Sequence, residues 1–143
     1  MYKRQDYYFI SIQEFKKNIE RNIWAEWAEV HGHYYGTSAK FIDHTLSTGN
    51  DILLDIDVQG ARQILLRYPD SITIFIMPPS MIELEQRLKN RGSDSSETIT
   101  KRLKAAEKEI VQKDFYAHVI TNDILPESIK QLADIILLYR QKQ

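Results

Sequence analysis

The most constraining stretch of the chain is Asp51-Ile52-Leu53-Leu54-Asp55-Ile56-Asp57-Val58-Gln59-Gly60. An unbroken apolar run between turn signals predicts a strand covered on both faces, as in a parallel sheet flanked by helices. Residues two apart on a strand share a face, so Asp55 and Asp57 would project together from its carboxyl end. In open α/β sheets, ligands bind beyond that end. Two acids there can hold a hydrated Mg²⁺ or accept hydrogen bonds from a base or ribose. They can equally cap the helix expected from Val58.

The flanking sequence has the rhythm of such a sheet. Apolar runs at Ile72–Met77 and His118–Thr121 alternate with helical patterns at about Val58–Tyr68, from Ser80, at about Glu97–Lys113 and from Pro126. Strands separated by helices of this length predict a parallel α/β arrangement. The terminal helix would bury Ile129, Leu132 and Ile136. The front of the chain differs. A short strand at Tyr7–Ile12 precedes a capping-box helix opened by Ser11 and Glu14. Trp24–His31 then alternates, with Trp24, Glu26, Ala28 and Val30 on one side and Ala25, Trp27, Glu29 and His31 on the other. This is a small lobe of two or three short strands. At 143 residues the whole reads as one domain, with residues 1–50 as lobe and 51–143 as core.

Charge narrows the function classes. Nineteen basic and 20 acidic residues give a net charge of −1, so no attraction to nucleic acid or an anionic membrane is indicated. No apolar stretch is long enough to span a bilayer. The chain has no cysteine, which excludes disulfides and thiolate metal sites and fits a cytoplasmic setting. His31, His33, His44 and His118 lack metal-ligand spacing.

Two groups of side chains carry possible chemistry. In the lobe stand Tyr7, Glu26, Tyr34, Tyr35 and Thr37. Glu26 falls on the more apolar side of its strand, where an ionised carboxylate needs donors. A protected carboxylate beside a hydroxyl suits guanine, which offers two adjacent N–H donors and an O6 acceptor. The tyrosine hydroxyls can reach a monophosphate. Packing aromatics and a surface ion pair would explain the same residues. In the core, Arg87, Arg91 and Arg102 flank a Gly- and Ser-containing loop. Guanidiniums there suit phosphoryl transfer, although Glu83 stands four residues before Arg87 as an ordinary helix pair.

In chain order these stretches resemble guanylate kinase. Asp6-Tyr7-Tyr8-Phe9-Ile10-Ser11, Glu26 through Thr37, and Leu54-Asp55-Ile56-Asp57-Val58-Gln59-Gly60 are similar to three successive family motifs. Ile76–Ser80, Arg87-Leu88 through Arg91-Gly92, Lys101-Arg102-Leu103 and Ile120–Asp123 follow. The resemblance implies a P-loop-kinase-like parallel sheet with a small mixed GMP-binding lobe. It implies GMP contacts from Tyr7, Glu26, Tyr35, Thr37, Asp55 and Asp57, with the tyrosines on the phosphate. It implies Arg87, Arg91 and Arg102 as the catalytic set, with a lid near residues 87–102, and Arg87, Arg91 and Asn122 at ATP. The implied partners are GMP and ATP with Mg²⁺, and no protein-held metal. The family's first strand and phosphate loop have no counterpart, since no G-x-x-x-x-G-K-[ST] run occurs. Little turnover is therefore expected of these residues alone, and self-association through the gap left in the sheet is expected. A non-catalytic member that grips phosphorylated peptides is the alternative, and an unrelated α/β interaction domain is a third reading.

Overall fold

The computed structural model describes residues 2–4, 7–30, 32–92 and 94–141, the side chains of 2–4 excepted. Asp6 of the first motif and His31, the last residue of the expected Trp24–His31 strand, lie outside the described residues. The chain forms two compact units, Met1–Ser71 and Ile72–Gln143. The stretch after residue 50 and the helix following it belong to the first.

In the first unit, β1 (Tyr2–Arg4) pairs antiparallel with β2 (Tyr7–Phe9). Helix α1 (Ile12–Glu20) starts where the capping box placed it: Ser11 accepts a hydrogen bond from the Glu14 amide. Strand β3 (Trp24–Val30) pairs antiparallel with β4 (His33–Ser38), and Glu26 lies opposite Thr37. Helices α2 (Ala39–Ser47) and α3 (Val58–Arg67) complete the unit, capped by Ser38 and Asp57. Ala25, Ala39, Ile42 and Ile64 form its core.

Simple alternation fails in β3, because the register shifts between Trp24 and Glu26. A bulge inserts one residue and changes the phase of the faces. Ala25, Glu26 and Ala28 are consequently all buried. On β4, Gly36 leaves little room for a side chain: a Cβ would lie 3.1 Å from the Glu26 carbonyl oxygen and the Phe15 ring and 3.2 Å from Trp24. Phe15 and Trp24 stack there with centroids 4.5 Å apart.

The Asp51–Asp57 stretch corrects the sequence expectation. It forms no strand ladder among the described residues. Ile52, Leu54 and Ile56 pack on the core, whereas Leu53 is 75% exposed. A run of consecutive apolar residues predicts two covered faces, but among the described residues only the face of Ile52, Leu54 and Ile56 packs on a core. The apolar side chains anchor a segment that no neighbouring strand bonds among the described residues.

Helix α3 is tied to β3 by one side chain. The Gln63 amide accepts from the Trp27 N–H at 3.2 Å and donates to the Trp27 carbonyl at 2.7 Å. It thus supplies both bonds a neighbouring strand would make. Gln63→Ala is expected to cost about 1–3 kcal/mol, since it strands two backbone groups. Urea unfolding of the two proteins measures it.

The second unit carries the parallel pairing, with β5 (Ile74–Met77) beside β6 (His118–Thr121). Helices α4 (Met81–Asn90) and α5 (Ser96–Ile110) pack on each other, with Leu88 and Ile99 buried. The terminal helix α6 (Leu125–Arg140) departs from the expected stripe. Ile129 and Ile136 are 57% and 37% exposed. The covered face runs instead through Ser128, Leu132, Ile135 and Tyr139. Ser128 sets it: its small hydroxyl side chain is buried, donates within 3.4 Å of the Thr121 and Ile124 carbonyls, and lets the helix approach β6. Tyr139 meets His118 at 3.0 Å at the other end of that face.

Candidate functional site

Glu26 and Thr37 of the lobe stand together with Asp57, the cap of α3. The Glu26 side chain leaves the bulged part of β3 and is buried, at 4% exposure. Thr37, its cross-strand neighbour, donates its hydroxyl to Glu26 Oε1 at 2.6 Å. Asp57 is close enough for its charge to act on Glu26. Burial holds the Glu26 carboxyl above its ordinary value of 4.5; the Thr37 hydrogen bond opposes that shift and the Asp57 charge adds to it. The arrangement is an acceptor of high proton affinity in a protected place, suited to a ligand bearing N–H donors.

Asp57 does both things its position allowed. Its carboxylate accepts from the Gly60 amide at 2.8 Å as the α3 cap, and from the Gln59 side chain at 3.0 Å. Cap and charge are compatible, because a carboxylate has room for several donors. Asp55 is exposed on the preceding segment. The rings of Tyr7 and Tyr35 meet edge to face at 6.2 Å, and both are exposed. Tyr34 instead packs between Phe15 and Trp27 and belongs to the framework.

The other candidates belong to the second unit. Arg87 is the most heavily engaged. Its guanidinium pairs with Glu83 at 2.7 Å and donates to the Asn122 carbonyl at 2.7 Å and the Asp123 carbonyl at 3.4 Å. It therefore fixes the turn after β6 to α4. Arg102 pairs with Asp94 at 2.6 Å across the start of α5. Arg91 is the exposed C-cap of α4. The Asn122 backbone also donates to the Met77 carbonyl at 2.7 Å, extending the parallel ladder.

Sequence reasoning overlooked two residues. Gln63 belongs to none of the motifs and was not singled out. Gly60 looked like the end of a motif, yet a Cβ there would come within 2.6 Å of Glu26 Oε2. A glycine inside the first turn of a helix, where alanine is intrinsically preferred, was the available signal.

The comparisons with known proteins place the chain in a family. The family model described as guanylate kinase matches residues 3–139. A guanylate kinase of Geobacter metallireducens is 44% identical over 136 residues, covering 95% of this chain and 67% of the relative. One from Shewanella sp. (strain MR-7) is 47% identical over 132 residues, covering 92% of this chain and 64% of the relative. The crystal structure of guanylate kinase from Anaplasma phagocytophilum superimposes with a TM-score of 0.80 at 32% identity, over 97% of this chain and 68% of that one. The chain spans about two thirds of the length of the curated relatives it matches. A match running over almost all of the residues, at this identity and with the same α/β fold, has one meaning: the chain belongs to the guanylate kinase family.

Proposed function

We propose that the whole protein transfers the γ-phosphoryl group of ATP to GMP, giving ADP and GDP. The observation that carries this reading is the buried Glu26 carboxylate, held by Thr37 and neighboured by Asp57. Guanine N1–H and N2–H donate to Glu26, and binding repays the cost of its burial. Adenine lacks that pair of donors and leaves the carboxylate unpaired, which is the basis of selection. Thr37 and Asp57 complete the recognition of the base, Asp55 stands beside them, and the hydroxyls of Tyr7 and Tyr35 take the monophosphate.

In the transfer, an oxygen of the GMP phosphate attacks the γ-phosphorus. The bond to the β–γ bridging oxygen breaks, and its electron pair leaves with ADP. Arg87, Arg91 and Arg102 supply cations for the charge spread over the moving phosphoryl oxygens, and Asn122 lies at the adenine. Arg87 and Arg102 must exchange Glu83 and Asp94 for phosphate to do so. Mg²⁺ bound to ATP would be held chiefly by phosphate and water and would offset charge on the phosphates. No group of three His, Asp or Glu fit to hold a metal stands among the described residues. The setting proposed is the cytoplasm; no helix of the described residues is long and apolar enough to cross a membrane.

Calorimetry with GMP, AMP and a phosphoserine peptide tests the reading. GMP is expected to bind, AMP at least 100-fold more weakly. A peptide that binds while GMP does not would replace the kinase reading by that of a phosphopeptide module. The pH dependence of GMP binding is a further expectation. Protonated Glu26 puts an O–H donor where guanine needs an acceptor. Affinity should therefore fall on acidification, and its midpoint should lie above the ordinary glutamate value of 4.5.

A further inference from the structure

We propose that Gly60 is a positioning residue for Glu26: the absence of its side chain lets the carboxylate sit against the first turn of α3. This inference rests on the proposed role of Glu26 as guanine acceptor. A Cβ on Gly60 would lie 2.6 Å from Glu26 Oε2, 3.3 Å from Glu26 Cδ and 3.3 Å from Ile56 Cβ. The first distance is far inside contact, so one partner must move. The far end of a glutamate normally yields easily, but this one is restrained. It is buried, and its other oxygen accepts the Thr37 hydroxyl at 2.6 Å.

The helix cannot give way instead. The Gly60 amide donates to its Asp57 cap at 2.8 Å, and Gln63, three residues on, is bonded to both backbone groups of Trp27. Trp27 is the residue directly after Glu26. The two sides of the contact are thus fastened to each other on either flank of the gap. A methyl group at residue 60 displaces the carboxylate, and with it the Thr37 bond and the acceptor geometry. Asp57, Gly60, Thr37 and Gln63 then act as one frame with Glu26 as its only moving part.

The test is Gly60→Ala in the full chain, a substitution that a helix interior otherwise favours. The expected result is a thermal midpoint no lower than that of the parent with GMP affinity at least 10-fold weaker. In Gly60→Ala/Glu26→Asp, the carboxylate is drawn back by one methylene, and part of the affinity should return. A merely structural role for Gly60 would not produce that rescue. The titration of Glu26, followed by carboxyl ¹³C NMR without ligand, should also shift in Gly60→Ala. Parent-like affinity together with a superimposable Glu26 titration would overturn the inference. If the parent itself does not bind GMP, the proposed function fails, and the titration alone decides the role of Gly60.

Discussion

Glu26→Gln is expected to abolish guanine-nucleotide binding, by at least 100-fold, and to leave the ligand-free protein at least as stable at neutral pH. The two effects share one cause. Glutamine keeps the shape and can still accept the Thr37 hydroxyl, but it offers no charge to two guanine N–H donors and can turn an NH₂ toward them. Burial raises the Glu26 carboxyl above 4.5 in the folded state. A carboxyl raised on folding stabilises the protein fully below its unfolded value, and that contribution is lost as pH rises through the folded value. At neutral pH the ionised group is therefore a burden on the empty fold, and the neutral amide removes it. The thermal midpoint of Glu26→Gln should exceed the parent's by a few degrees at pH 7, and the difference should vanish at pH 4. Saturating GMP should raise the midpoint of the parent, by about 2.7 kcal/mol of stabilisation at a hundredfold excess over Kd, and leave the variant unmoved. A variant that still responds to GMP would remove Glu26 from the site.

Ile120→Ala should produce the largest loss of stability in the second unit. Ile120 is 2% exposed at the centre of β6, where it lies in register with Ile76 of β5. Removing three carbons from a site already closed on its sides leaves a cavity that cannot collapse, at about 2–4 kcal/mol. Ile120→Val should cost about 1 kcal/mol by the same reasoning. Chemical denaturation of both variants checks the ratio. Equal small losses would mean that the site is looser than its burial indicates.

These cases show how far the residues alone could be read. Helix starts were legible because capping is a local code: Ser11 and Ser80 each accept an amide from three residues on. The α/β class was legible from the spacing of apolar runs, and it agrees with the fold of the Anaplasma phagocytophilum enzyme. What escaped depends on partners that are distant in sequence. Whether Ile52–Ile56 joins a ladder depends on a neighbouring backbone, and hydrophobicity does not report one. The inward face of α6 is chosen by Ser128, a small polar residue with a lower apolar score than Ile129 or Ile136. The bulge after Trp24 buries Ala25 against the expected facing of β3, whereas Glu26, which alternation puts on the more apolar side, is buried as expected. For the candidate site, Glu26 and Thr37 were readable as a carboxylate and hydroxyl near each other. The closeness of Gly60 was not, because it arises where α3 crosses β3.

The Gln63 clamp has a consequence for the life of the chain in a crowded solution. A strand in a two-stranded ribbon keeps one flank of bare amides and carbonyls, which any passing extended peptide can zip onto. By filling the Trp27 rung with its own amide, α3 puts a stopper on that flank. Losing the stopper would change more than folding energy: it would open β3 to template growth into insoluble assemblies.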